Sequence, residues 1–323
     1  MARPFIMEFE RPLAELEDQL EHLKRLQVVE QDPELGAEIA GLERQIADLH
    51  ETLYRSLTPW EKVQVSRHPD RPRGQDYVRR LFDDVFVLRG DRAFGDDEAL
   101  LAAFAELDGR RCVVLAHRKG RDFKENLTRN FGQPHPEGFR KARRAMALAD
   151  KYGLPVVSFV DTAGAYPGVE AEERGQAWAI AENLAALSAL SVPVVVVAVG
   201  EGGSGGALAI GFGDRLVMLE NAWYSVISPE GGATILYKDA AKASEAAAAL
   251  RITAGDLVEL GLADEVLPEP LGGAHRDPEA VYPLVRDAVA CALDELAAVP
   301  APQLLEARYR RLRDFGVVVE NNC

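Results

Sequence analysis

Apolar residues recur at alternating spacings of three and four near the start of the chain: Leu13, Leu16, Leu20 and Leu23. After "EQDPELG" the pattern resumes with Ile39, Leu42, Ile46, Leu49 and Leu53. This spacing predicts two amphipathic helices joined by a turn, an α-hairpin over residues 1–57. Its apolar stripe is narrow, like a coiled-coil seam, so the hairpin either closes on itself and the main body or grips another subunit. Residues 58–82 are rich in Pro and Arg ("TPWEKVQVSRHPDRPRGQ") and read as a connector. From about Asp83 the texture changes to strand, loop, helix, repeated. "LPVVSFVDTAG" and "VPVVVVAVGEGGSGG" are apolar, β-branched runs that end in glycine turns, and "GFRKARRAMALADKYG" is a helix closed by a C-terminal glycine. Strands of this kind alternating with helices imply an α/β fold with the sheet covered on both faces, over residues 83–300. Residues 301–323 are expected to form a C-terminal helix and tail.

The 323 residues suffice for a large core. A formal charge of −15 argues against nucleic acid as the main partner. Cys112, Cys291 and Cys323 are scattered, which supports neither a disulfide framework nor a metal site on this chain. The expected compartment is a reducing cytoplasm. "MARPFIMEFERP" lacks the apolar stretch of a signal peptide, and the uncharged run from Asn183 to Gly200 is too interrupted by Ser and Pro to span a membrane.

The candidate chemistry concentrates in "VGEGGSGGALAI", from Val199, which fits two rival motifs. Gly200 to Gly205 spells the GxGxxG of dinucleotide sites, with Glu220 twenty residues beyond Gly200 as the ribose acid. Only "ALAIGFGD" separates Gly206 from the next strand at Arg215, too little for a dinucleotide crossover helix. Gly202 to Gly206 also spells the GxSxG of a serine-hydrolase elbow, with Ser204, Asp264 and His275 in the right chain order for a triad. A third reading needs no reactive side chain. Glycines let a substrate approach the backbone, and the free N–H groups of Gly205 and Gly206 at a helix start form an oxyanion hole. The turn "DTAGAYPG" ends the preceding strand in the same way and offers a further N–H from Gly164 or Ala165. Two tight turns without any ligand would also account for both stretches.

"DTAGAYPG", "EERGQ", "GEGGSGGALAIG", "YSVISPEG" and "EPLGGAHRDPEA", with "FERPLAELE" near the start and "RYRRLRDFG" near the end, together resemble the α subunits of bacterial acetyl-CoA carboxylase carboxyltransferase. The similarity runs nearly end to end. Ala163 departs from it, since the family often carries proline there, and the tail "VVVENNC" finds no match. The resemblance implies a crotonase/Clp-protease-like spiral of ββα units behind the helical hairpin. It implies a homologous β subunit bearing a zinc ribbon, in an α2β2 assembly, working with a biotin carboxyl carrier protein and a biotin carboxylase. The family moves a carboxyl group from carboxybiotin to acetyl-CoA, giving malonyl-CoA. The α subunit supplies the oxyanion hole for the ureido oxygen of biotin. Carried onto this sequence, Gly205 and Gly206 are the donors, with Gly164 and Ala165 behind them, and Ser204 becomes a small loop residue. The alternative is a Clp-like serine peptidase or esterase using Ser204. The absence of a four-cysteine ribbon points to the α rather than the β chain. The absence of a Met-Lys-Met biotinylation motif and an ATP module puts those steps on other polypeptides.

The stretch "HRKGRDFKENLTRNFG" concentrates positive charge in an acidic protein. Arg118, Lys119, Arg121, Lys124 and Arg129 are candidates to meet the phosphates of coenzyme A or an acidic carrier domain, or to form a solvated face. Tyr166, Ser225 and Glu230 are candidates to wall the substrate pocket, although the "YSVISPEGG" stretch that holds the last two reads equally as a packed turn.

Overall fold

The computed structural model describes residues 5–30 and 33–316. The tail with Cys323 lies outside them. The hairpin forms as its spacing requires, from α1 (Arg11–Glu30) and α2 (Pro33–Arg55). Leu16, Leu20, Leu42 and Ile46 are only half-buried along the seam, so the two helices cover each other incompletely. The base of the hairpin is fixed more firmly. Buried Glu10 accepts from Met7 N at 2.9 Å and from Tyr54 Oη, and pairs with Arg276 of the body at 3.1 Å.

Residues 58–82, expected as a connector, are instead built into the core. They hold α3 (Pro59–Ser66), opened by a Thr58–Glu61 capping box, and α4 (Gly74–Leu81). Arg71 is buried because it is fully paired: its Nη atoms meet Glu269 at 2.7 and 2.6 Å and its Nε donates to Val199 O at 2.9 Å. Tyr77 stacks on Phe159. The arginines and prolines that look like solvent-exposed linker chemistry are here packing and ion-pairing chemistry.

The body continues with β1 (Asp83–Leu88), β2 (Leu100–Leu107), β3 (Arg110–His117), α5 (Phe123–Thr128), α6 (Pro136–Tyr152) and β4 (Val156–Thr162). Gly153, in the left-handed conformation, closes α6. Next come α7 (Val169–Glu173), α8 (Gln176–Ala189), β5 (Val194–Gly203), α9 (Ser204–Leu208), β6 (Arg215–Leu219) and β7 (Trp223–Ser225). The chain ends with α10 (Pro229–Tyr237), α11 (Ala243–Leu250), α12 (Ala254–Glu259), β8 (Glu265–Leu267), α13 (Pro278–Ala297) and α14 (Ala301–Arg313). Among the described residues the sheet order is β1-β2-β3-β4-β5-β6-β8. β1 to β3 run antiparallel, and β3 to β6 and β8 run parallel. β4 and β5 are buried along their whole length, as their largely apolar, valine-rich runs demand. β5 changes partner along its path: Val195–Ala198 pairs with β6, then Glu201–Gly203 pairs with β7. That handover turns the end of β5 out of the main sheet. α14 is anchored by Arg308, which is wholly buried, meets Asp214 at 2.8 and 2.7 Å and donates to the carbonyls of Leu187, Leu190 and Val192. No single helix among the described residues is long and apolar enough to cross a membrane.

Candidate active site

Two parallel neighbours, β4 and β5, carry the two glycine turns at their carboxyl ends, so the turns meet at the edge where α/β sheets hold ligands. They interlock backbone to backbone. A Cβ on Gly203 would lie 2.1 Å from Ala163 O, and one on Gly206 would lie 2.2 Å from Gly164 C and 2.4 Å from Ala165 N. No side chain fits at either position, which is why glycine stands there. Gly205 differs: its Cβ would meet only the end of Ile180, at 3.3 Å, and Gly205 lines an open cavity.

α9 begins directly at this junction. Ser204, Gly205 and Gly206 form its first turn, whose N–H groups have no carbonyl four residues back to bond. The second turn contributes differently from expectation. Gly164 N–H donates to Thr162 Oγ1 at 3.1 Å, so it is not a free donor. The Gly164–Ala165 peptide instead shapes the site by filling the space beside Gly206.

His117, fully buried at the end of β3, ties the turns together. Asp161 N donates to its Nδ1 at 3.3 Å, which leaves the proton on Nε2 for Gly206 O at 3.2 Å. Burial holds its pKa down to about 3, so it stays neutral. Beside it lies a charged floor. Lys119 Nζ sits 2.7 Å from both Asp161 Oδ1 and Glu201 Oε2, and Arg67 Nε lies 2.7 Å from Glu201 Oε1. Burial alone would raise the Glu201 pKa, but Lys119 and then Arg67 outweigh it and hold it at about 2. Burial would likewise lower the Lys119 pKa, and Asp161 and Glu201 reverse that.

The candidate residues therefore separate. Gly205 and Ser225 share one cavity of about 380 Å³, with walls of Leu208, Phe212, Leu216, Leu257 and Phe315. Gly206, Gly164 and Ala165 form the interlock beside it. Lys119 is clamped between carboxylates, Arg118 pairs with Glu98 at 2.6 Å, and Glu230 is bound by Arg67. Arg121 is exposed and pairs with Asp76 at 2.8 Å. Tyr166 stacks on His135 with ring centroids 4.2 Å apart, away from the cavity. Sequence reasoning missed His117, Asp161, Glu201 and Arg67. A signal existed for two of them: Asp161 and Glu201 are lone carboxylates at the ends of strands rich in valine.

The match to known proteins runs the length of this architecture. Residues 6–316 fit the family described as acetyl co-enzyme A carboxylase carboxyltransferase-like. The chain is 51% identical over 314 residues to the acetyl-coenzyme A carboxylase carboxyl transferase subunit alpha of Thermus thermophilus, covering 97% of this chain and 99% of that one. It is 53% identical over 312 residues to the same subunit of Acidithiobacillus ferrooxidans, covering 97% and 98%. The chain belongs to this α-subunit family.

It is a carboxyltransferase subunit, and its fold is the crotonase-like one. Transcarboxylase 12S superposes with a TM-score of 0.56 at 23% identity, over 69% of this chain and 41% of that chain. A Pseudomonas malonate decarboxylase hetero-tetramer gives 0.55 at 22% identity, over 68% and 90%. At this identity the two structures speak to fold alone. The rival readings of the glycine stretch fail on geometry. α9 is five residues long, too short for a dinucleotide crossover. Ser204 does sit exposed with a positive φ, the strained strand-to-helix pose of an elbow, but it has no triad. Asp264 binds Leu216 N and Arg311, His275 stacks on His68 at 3.8 Å, and no histidine hydrogen-bonds Ser204 Oγ among the described residues.

Proposed function

We propose that this chain is the biotin-side half of an acetyl-CoA carboxylase carboxyltransferase. It takes a carboxyl group from carboxybiotin, borne by a biotin carboxyl carrier protein and charged by a separate biotin carboxylase, and passes it to acetyl-CoA to give malonyl-CoA in the cytoplasm. The observation that carries the reading is the glycine interlock directly beside Ser204 and Gly205, which line the apolar cavity. The cavity suits a compact bicyclic ring on an aliphatic arm, because Leu, Phe, Val and Gly make up most of its wall and polar groups are few. When bound, biotin brings the carboxyl group and places negative charge on its ureido oxygen. The first-turn N–H groups of Gly205 and Gly206, backed by the positive end of α9, stabilise that charge, and such a donor is typically worth about 3–4 kcal/mol. Leu208, Phe212 and Leu257 exclude water from the ring, which strengthens those hydrogen bonds. Ser204 acts through its backbone. The β subunit, in an α2β2 assembly, holds the thioester.

The test is the reverse reaction. The chain is purified alone and co-expressed with a β-type subunit, and malonyl-CoA conversion to acetyl-CoA is followed with and without biocytin. Biocytin-dependent turnover in the co-expressed sample alone is the expected result. A stable, folded complex with no turnover would overturn the assignment.

A further inference from the structure

A second cavity, of about 520 Å³, opens on the other side of the "DTAGAYPG" turn, with Ala163 in its wall. Five cationic side chains line it, Arg67, Arg71, Arg73, Lys119 and Arg121, against two carboxylates, Asp161 and Glu201. Four of the cations are committed. Arg71 is bidentate on Glu269, Arg67 and Lys119 share Glu201 and its neighbours, and Arg121 reaches Asp76. Both lining carboxylates are thereby neutralised.

Arg73 is different. It is only 8% exposed, yet among the described residues no carboxylate lies within ion-pair distance of it. Its Nη2 donates to Pro69 O at 2.8 Å, while its buried Nη1 has no partner at all. A buried guanidinium with an idle donor is costly to maintain, and its cost is removed by an oxyanion that accepts from the fork. Arg121, more than half exposed on the same wall, is held only by its 2.8 Å contact to Asp76, a partner it can exchange for the same ligand.

We propose that this cleft is a phosphate-binding site, with the Arg73 guanidinium as its fixed donor and Arg121 as its mobile one. The site lies apart from the apolar cavity assigned to biotin and shares no lining residue with it. It also moves the phosphate role from Arg118, which pairs with Glu98, and Lys119, which is clamped between Asp161 and Glu201, to a residue of the segment between hairpin and body. The phosphate has two possible sources: the phosphates of coenzyme A, which rests on the proposed reaction, or free inorganic phosphate, which does not.

The experiment is calorimetric titration of the full chain, alone and with a β-type subunit, using coenzyme A, pantetheine and inorganic phosphate. The variants are Arg73→Lys, which keeps charge but loses the fork, and Arg121→Gln, which removes an exposed charge. Melting curves check both. Phosphate-bearing probes are expected to bind the wild type and to weaken about tenfold or more in Arg73→Lys, with a smaller loss in Arg121→Gln. Coenzyme A binding much tighter than inorganic phosphate, with pantetheine inert, assigns the site to the thioester carrier. Equal binding of the two phosphates assigns it to the free ion. No binding of either probe to the wild type at millimolar concentration, unchanged affinity in both folded variants, or pantetheine binding as well as coenzyme A would overturn the proposal. No turnover is measured, so failure here leaves the carboxyltransferase assignment standing.

Discussion

Gly206→Ala adds one methyl group where the structure has no room for it. The new Cβ would lie 2.2 Å from Gly164 C, 2.4 Å from Ala165 N and 2.6 Å from Gly164 O. All three are backbone atoms, so no rotamer change relieves the clash. Carbon contacts settle near about 3.5–4.0 Å, so the turn after β4 or the start of α9 must move by about 1 Å. Overpacking of this kind costs about 1–3 kcal/mol, which leaves a folded protein. A shift of about 1 Å in a positioned donor lowers turnover by about 100-fold. Gly205→Ala is the internal control: its Cβ meets only the Ile180 side chain, at 3.3 Å from Cδ1, an end that can rotate away, and at an ordinary 3.6 Å from Cγ2. Both variants are assayed with the β subunit for malonyl-CoA decarboxylation dependent on biocytin, alongside thermal melting. The expected result is a folded but nearly inactive Gly206→Ala and an active Gly205→Ala. Wild-type turnover by Gly206→Ala would refute the interlock as the frame of the site. Equal losses in the two variants would refute the steric reasoning.

Ser204→Ala is expected to keep its activity and Ser204→Gly to gain about 1 kcal/mol of stability, because a positive φ strains any side chain; loss of turnover in Ser204→Ala would restore the nucleophile reading. Lys119→Met leaves Asp161 and Glu201 without their shared cation and is expected to cost about 3–5 kcal/mol in urea unfolding; adding Glu201→Gln should recover part of that loss, and strict additivity would show that the pair is not coupled. Stability is also expected to fall on acidification in two stages. His117, at about 3 in the fold against an ordinary 6.5, favours the native state fully above pH 6.5 and loses that contribution steadily as pH drops towards 3. Glu201, held at about 2 against 4.5, adds its loss only below pH 4.5; a flat stability profile between pH 6.5 and 4.5 would refute the buried, neutral histidine.

What is legible in the sequence is what repeats with a period or forbids a side chain. The hairpin follows from leucine spacing, the buried strands from unbroken valine runs, and the two glycine turns from their place at strand ends. The segment from Thr58 to Phe82 misleads because composition describes a residue's preference for water, not its partners. Arg71 enters the core only because Glu269, far along the chain, neutralises it, and no local pattern encodes that pairing. Lys119 misleads in the same way, as a surface cation instead of the link between Asp161 and Glu201. The commitment of Gly164 N–H to Thr162 Oγ1 is also invisible, because it depends on the path of the turn and not on the residues in it.

These two kinds of error have one physical origin, and it bears on how the site works. Backbone donors can be aimed only by fixing the backbone, and glycine is the residue least able to fix its own. The rigidity has to come from beneath. Asp161 Oδ1 accepts from Glu201 N at 3.2 Å as well as from Lys119, which binds the end of β4 to the end of β5. His117 bonds Asp161 N on one side and Gly206 O on the other, which adds the end of β3. Three strand ends are thus held by one histidine and one lysine that never face the apolar cavity. Among the described residues no histidine hydrogen-bonds Ser204 at the glycine junction, and in the proposed reading the buried charges beneath it hold in place the peptides that meet the ureido oxygen.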